Sequence, residues 1–147
     1  MNGLQGDRME TIAGPVLLYD GECGLCHVVM RLLLRLDRRG RLRFTKLQGA
    51  FAQATLRRLG LPTENFDSIV YLPEAGGAEY RLRTDGVIGV LRLLGGFWSG
   101  VGAAFAVVPS GWRDAAYRGV AKVRYRIFGK RDPARPVDTR HADRFID

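Results

Sequence analysis

Residues 15–37 read PVLLYDGECGLCHVVMRLLLRLD: a short apolar run, a turn at Asp20-Gly21, a cysteine pair at Cys23 and Cys26, then a longer apolar run with spaced arginines. The first run, Pro15 to Asp20, suits a strand buried on both faces. From Cys23 to about Asp37, Val28, Val29, Leu32, Leu33 and Leu36 recur at helical spacing with Arg31 and Arg35 between them, and Gly40 follows as a stop. The cysteines therefore stand where a strand hands over to a helix. At a helix start, two residues of separation put both sulfurs within disulfide reach. The free backbone N–H groups of the first turn also aim at Cys23, which favours its thiolate. Such a junction points to thiol redox chemistry.

Beyond it, Leu42 to Leu47 alternates as a second strand, and Ala50 to Leu59 makes a helix closed by Gly60 and Pro62. Ser68 to Leu72 and Ala78 to Arg83 read as two strands joined by Pro73-Glu74-Ala75-Gly76-Gly77, a connection rich in turn formers. Thr84 reads as the N-cap of a helix with Val87, Ile88, Leu91 and Leu94 on one face, stopped by Gly95-Gly96. The order β-α-β-α-β-β-α predicts an α/β fold: a parallel βαβ unit, a helix, an antiparallel hairpin and a closing helix, with helices on both faces of a mixed sheet. Ser110 can cap a further helix to about Phe128, with Trp112, Ala116, Val120, Val123 and Ile127 as its apolar side. The expected organisation is an N-terminal tail (1–14), a core (15–96), a helical extension packed on that core (97–129) and an extended C-terminal tail (130–147).

With 147 residues, 46% of them hydrophobic, the chain can bury one core. Its two cysteines close too short a loop to staple a secreted scaffold. The first residues lack the apolar core of a signal peptide, so a cytoplasmic address is expected. From Leu93 to Trp112 there are 20 residues without a charge, but five are Gly and one is Pro109. That composition predicts a helix end, a turn and a short buried helix rather than a membrane span. The net charge is +8, and residues 31–62 hold nine basic side chains against the single acid Asp37. Such a field attracts anionic partners. Aromatic interleaving is confined to Phe44 and Phe51, so no nucleic-acid partner is expected.

The topology is that of the minimal thioredoxin-like fold, a three-layer arrangement that keeps its redox site between the first strand and first helix. More narrowly, Asp20-Gly21-Glu22-Cys23-Gly24-Leu25-Cys26 resembles the D-x-x-C-x-x-C signature of the DCC family of thiol-disulfide oxidoreductases. The resemblance extends to Leu42-Arg43-Phe44 with Gln48, to Asp67-Ser68-Ile69-Val70, and to Arg124 through Asp132. It implies a small thioredoxin-like protein with disulfide reductase activity. Two departures stand out. Thioredoxins place a proline just before the third core strand, where the backbone pairs with substrate, and this chain has Asp67-Ser68 there. Family members also often carry a cysteine after the Gly-Lys-Arg-Asp segment, where this chain has Pro133-Ala134-Arg135-Pro136.

The expected reaction is dithiol–disulfide exchange with a protein or small-molecule disulfide, reset by an external thiol reductant. Cys23 is the expected nucleophile, with Cys26 one turn inside, shielded, and acting to resolve. Glu22 sets negative charge beside Cys23 and argues for a reducing couple. Asp20 completes the candidate site with two readings: acceptor of the Cys26 proton, or organiser of the turn at Gly21, the latter preferred.

Three other readings compete. Cys23 through His27 spells the attachment motif for c-type haem, but the candidate distal ligands Met30 and His141 fall on the same helix and in the tail. His27 is therefore expected to be an ordinary helix residue, and no cofactor is expected. A structural zinc site needs four ligands, which one pair supplies only in a dimer, so no metal is expected either. Finally, a non-enzymatic basic interaction module, its cysteine pair sensing or locking a conformation, would use residues 93–128 with Trp98, Phe105 and Trp112 as a membrane-surface or partner contact, although those aromatics are expected to cover the core instead.

Overall fold

The computed structural model describes residues 14–21, 23–64, 68–128 and 144–146, apart from the side chains of Arg124, Tyr125 and Phe128. All of the expected N-terminal tail but Gly14, together with Glu22, Asp67 and most of the C-terminal tail, with His141, lies outside the described residues. In chain order the elements are β1 (Val16–Tyr19), α1 (Gly24–Leu36), β2 (Arg43–Lys46), α2 (Ala50–Leu59), β3 (Val70–Leu72), β4 (Arg81–Leu82), α3 (Arg83–Leu94), α4 (Gly96–Val107) and α5 (Ser110–Phe128).

The sheet runs β2-β1-β3-β4, with β1 parallel to β2 and the other neighbours antiparallel. Leu17 sits opposite Phe44 on β2 and Tyr71 on β3, which puts β1 at the centre. Alternation along β1 then feeds two cores. Val16 and Leu18 pack with Phe51, Ala52 and Leu56 of α2 on one face. Leu17 and Tyr19 pack with Met30, Leu33 and Leu34 of α1 and Val90 of α3 on the other. This is the expected three-layer, thioredoxin-like mixed α/β fold, with Cys23 and Cys26 inside the second core.

Several local expectations are corrected. The buried face of α1 is Cys26, His27, Met30, Leu33 and Leu34, whereas Val28, Val29 and Leu32 of the predicted stripe are exposed. Apolar residues surround so much of α1 that the position of the sheet, not the pattern, decides which of them are covered. The second hairpin strand shrinks to Arg81–Leu82, and α3 begins at Arg83, so Thr84 lies inside the first turn instead of capping it. Arg83 takes a left-handed conformation, φ 51°, with its N–H donated to Ser68 Oγ at 2.9 Å. Thr84 Oγ1 instead donates to Asp114 Oδ1 of α5 at 2.6 Å.

The chain re-enters a helix at Gly96, directly after Gly95, and both glycines have positive φ. In α4, however, only Gly102 is buried, so the expected short buried helix is a surface helix. Gly102 is where α4 meets α3, and a Cβ there would lie 3.1 Å from Leu91 Cβ.

The C-terminal helix is also turned from its expected orientation. Trp112 is 75% exposed and Ile127 67%, with Val120 and Val123 also exposed. Buried Arg113 faces inward, donating from Nε to Val108 O at 2.9 Å and from Nη1 to Asp85 Oδ1 at 3.1 Å. Tyr117 Oη accepts the Ile69 N–H at 3.0 Å. These polar anchors hold α5 to α3 and to the segment before β3 through the neighbouring face, leaving the apolar stripe outside. Near the C-terminus, Phe145 bridges to Phe44 and Ile146 N–H donates to Phe44 O at 2.8 Å, extending the sheet at the β2 edge. Arg144 clamps that segment to Asp37 and to Leu42 O.

Candidate functional site

The site grows out of the end of β1. Tyr19 is the last strand residue, Asp20-Gly21 turn the chain, and Cys23 takes extended dihedrals (φ −89°, ψ 120°) as the N-cap of α1. An N-cap side chain normally accepts a hydrogen bond from the first turn. Here the acceptor is Cys23 Sγ, 3.4 Å from the Cys26 backbone N–H. Sulfur at this position meets both an N–H dipole and the positive end of a 13-residue helix.

The turn is held from both sides. Cys23 N–H donates to Asp20 O at 3.2 Å. Gln48, from the loop after β2, accepts the Gly21 N–H at Oε1 (3.0 Å) and donates from Nε2 to Asp20 Oδ1 (3.0 Å). His27 Nε2 lies 2.8 Å from Gly21 O, with its ring edge-on to Tyr19 at 6.1 Å. A carbonyl only accepts, so that bond places a proton on Nε2.

Both cysteines are free thiols. Cys23 is 0% exposed and Cys26 8%, so Cys26 is shielded as expected, but Cys23, the expected nucleophile, is buried as well. Cys26 borders an apolar cavity of about 180 Å³ between α1, α3 and α5, walled by Leu25, Met30, Val90, Tyr117 and Val120.

The structure thus brings Asp20, Cys23 and Cys26 together. Asp20, 6% exposed, is engaged in holding the turn. Sequence reasoning gave no role to Gln48 and took His27 for an ordinary helix residue, yet His27 is 2% exposed and braces the turn. Its one sequence signal, adjacency to Cys26, spelled the haem motif instead. With Nε2 against Gly21 O in a closed core, His27 can serve as an axial ligand only by breaking this brace. Among the described residues no three His, Cys, Asp or Glu side chains group to hold a metal ion, and no helix is long and apolar enough to cross a membrane.

Where the thioredoxin resemblance puts a proline, Ser68 Oγ donates to Ile69 O at 2.8 Å and accepts the Arg83 N–H. The adjacent Ile69 N–H goes to Tyr117. Helix α5 therefore engages the backbone donor next to this position.

A family model described as DCC1-like thiol-disulfide oxidoreductase matches residues 17–130. YuxK of Bacillus subtilis (strain 168), named as an uncharacterized protein, is 39% identical over 123 residues, 84% of this chain and 87% of that one. A chloroplastic DCC family protein of Arabidopsis thaliana is 26% identical over 118 residues, 80% of this chain and 67% of its own. No solved structure matches the chain.

Proposed function

We propose, because the chain belongs to the DCC1-like thiol-disulfide oxidoreductase family, that it is a protein-disulfide reductase working by exchange at Cys23 and Cys26. The observation that carries this reading is the Cys26 N–H aimed at Cys23 Sγ, 3.4 Å away at the helix start. A thiolate there gains a charge-assisted hydrogen bond and the favourable end of the α1 dipole.

In this mechanism the Cys23 thiolate attacks one sulfur of a protein or small-molecule disulfide. The substrate S–S bond breaks, a mixed disulfide forms on Cys23, and the released sulfur takes a proton from solvent. Cys26, deprotonated, then attacks Cys23 Sγ. The intramolecular disulfide forms and the second substrate sulfur leaves as a thiol. Two electrons have passed to substrate, and an external thiol reductant returns them. Because Cys23 is wholly buried, the first attack requires its cover to open. Asp20 keeps the turn in register through Gln48. The cytoplasm, where thiol pools keep such pairs reduced, is the compartment this reading implies.

Insulin disulfide reduction by wild type, Cys23→Ser and Cys26→Ser tests it. The expected result is activity in wild type alone, with Cys26→Ser trapping a substrate on Cys23. A reduction potential near or below thioredoxin's, about −270 mV, is expected for a reductase. Wild-type inactivity across several dithiol donors, or activity surviving in Cys23→Ser, overturns the proposal.

A further inference from the structure

The outward stripe of α5 is a feature of the described residues that exchange chemistry leaves unused. At about 100° per residue, Trp112, Ala116, Val120, Val123 and Ile127 fall within an arc of roughly 80°. All five are exposed. Arg118, Lys122 and Arg126, also exposed, occupy a second arc of roughly 80°, set off from the first by roughly 40°. The remaining arc is the packed one, with Arg113, Asp114, Tyr117 and Ala121. Thus the helix has three separate faces: one against the protein, one apolar and open, and one cationic beside it.

Acidic residues sharpen the assignment. Asp114 is the only acid in α5, and it points inward to Thr84 Oγ1 at 2.6 Å. Nothing negative on this helix meets the three cations. A second copy of the chain, with the same stripe and the same net charge of +8, would bring cation to cation without compensation. An anionic lipid surface complements both faces at once. It takes apolar side chains into the headgroup–acyl boundary while long basic side chains reach its phosphates. Val107, the last residue of α4, is a further exposed apolar side chain, at 83%. Single exposed apolar residues are ordinary, whereas an aligned stripe rimmed by one sign of charge marks an interaction surface.

We propose that α5 is an interfacial helix that docks this protein on anionic membranes, with Trp112, Val123 and Ile127 entering the lipid and Arg118, Lys122 and Arg126 at the headgroups.

The test is flotation of the full-length chain with vesicles of phosphatidylcholine alone and of phosphatidylcholine mixed with phosphatidylserine. Binding is expected to the mixed vesicles at low salt, to weaken steeply as salt rises, and to be at least tenfold poorer on phosphatidylcholine alone. Each cation near an anionic surface strengthens binding about fivefold, so a chain carrying Arg118→Glu, Lys122→Glu and Arg126→Glu is expected to lose about 100-fold or more. A second variant, Trp112→Ser with Ile127→Ser, is expected to lose binding while keeping the wild-type far-ultraviolet spectrum and insulin-reduction rate. If neither vesicle binds the wild-type chain, or both bind equally, the proposal is overturned. Sedimentation showing a dimer that the serine variant dissolves makes the face a self-contact and also overturns it. Insulin reduction read in parallel keeps this outcome separate from any failure of the reductase reading.

Discussion

Replacing His27 with leucine tests whether the histidine braces the redox turn. Leucine keeps the approximate volume and apolar character but removes the donor whose Nε2 sits 2.8 Å from Gly21 O. Gly21 is buried, so its carbonyl loses this donor away from bulk water. A buried acceptor deprived of its partner costs about 1–3 kcal/mol, and better burial of leucine in the core returns part of that. The expected net loss is about 1–2 kcal/mol, a fall of roughly 3–8 °C in Tm for a domain of this size. A merely structural residue would stop there. His27, however, holds the turn that positions Cys23 Sγ against the Cys26 N–H, so loosening it also weakens the hydrogen bond to that sulfur. If that loss is about 1 kcal/mol, the reduced form is destabilised and the couple becomes more reducing by about 20 mV. The assay is thermal unfolding of the reduced protein together with equilibration against a thiol redox buffer. His27→Gln supplies the control, because its amide nitrogen is as many bonds from the backbone as Nε2 and can donate to the same carbonyl. It should recover most of both losses. A leucine variant as stable as wild type, or a glutamine variant no better than leucine, refutes the brace.

Other perturbations probe separate parts of the molecule. Arg144→Ala removes one partner of a nearly buried ion pair, with side chains 12% and 5% exposed, and should destabilise by about 3 kcal/mol in urea unfolding. Gly89→Ala would set a Cβ 2.6 Å from the Tyr71 ring, and a net loss of about 1 kcal/mol is expected after the helix-propensity gain. Gly119→Ala meets nothing within 4 Å and should instead stabilise by about 0.5–1 kcal/mol, so a common sign for the two would contradict the packing. Burial raises the pKa of Tyr71, with Glu79 adding to the rise and Arg81 opposing it. The folded state therefore holds the phenol proton more tightly. Its stabilisation is complete below about pH 10 and is lost as pH climbs through the folded value, a slope that Tyr71→Phe should flatten in urea midpoints. Asp20→Asn should keep the fold and most of the insulin-reduction rate if the carboxylate chiefly organises the turn; a collapse of rate in a folded variant would assign it the Cys26 proton.

The strand-to-helix junction was legible because each signal there is local. Val16 to Tyr19 are apolar on both faces, Gly21 turns, and the cysteines open a helix. From these, the redox site's place and the layer order follow. The side of α1 that would be buried was not legible, since Val28, Val29 and Leu32 are as apolar as Met30, Leu33 and Leu34, and only contact with β1 separates them. The orientation of α5 failed for a related reason. Its most regular apolar stripe is the one facing water, because Arg113 and Tyr117 dock the helix by hydrogen bonds to Asp85 and Ile69, distant residues that no periodicity encodes. Gln48 and His27 belong to the same class: each acts on Gly21 from 27 and 6 positions away.

The burial of both sulfurs bears on how this protein would weather an oxidative burst. A sulfur that water-sized molecules cannot touch is equally closed to hydrogen peroxide, and with Cys23 at 0% exposure the climb from sulfenic to irreversible sulfinic acid is limited by opening of the site. Should Cys23 be oxidised to the sulfenic acid during such an opening, Cys26, three residues away on the first turn, is at hand to condense with it into a disulfide that any thiol reductant can repair. The same closure that slows encounter with a substrate thus preserves the pair through stress.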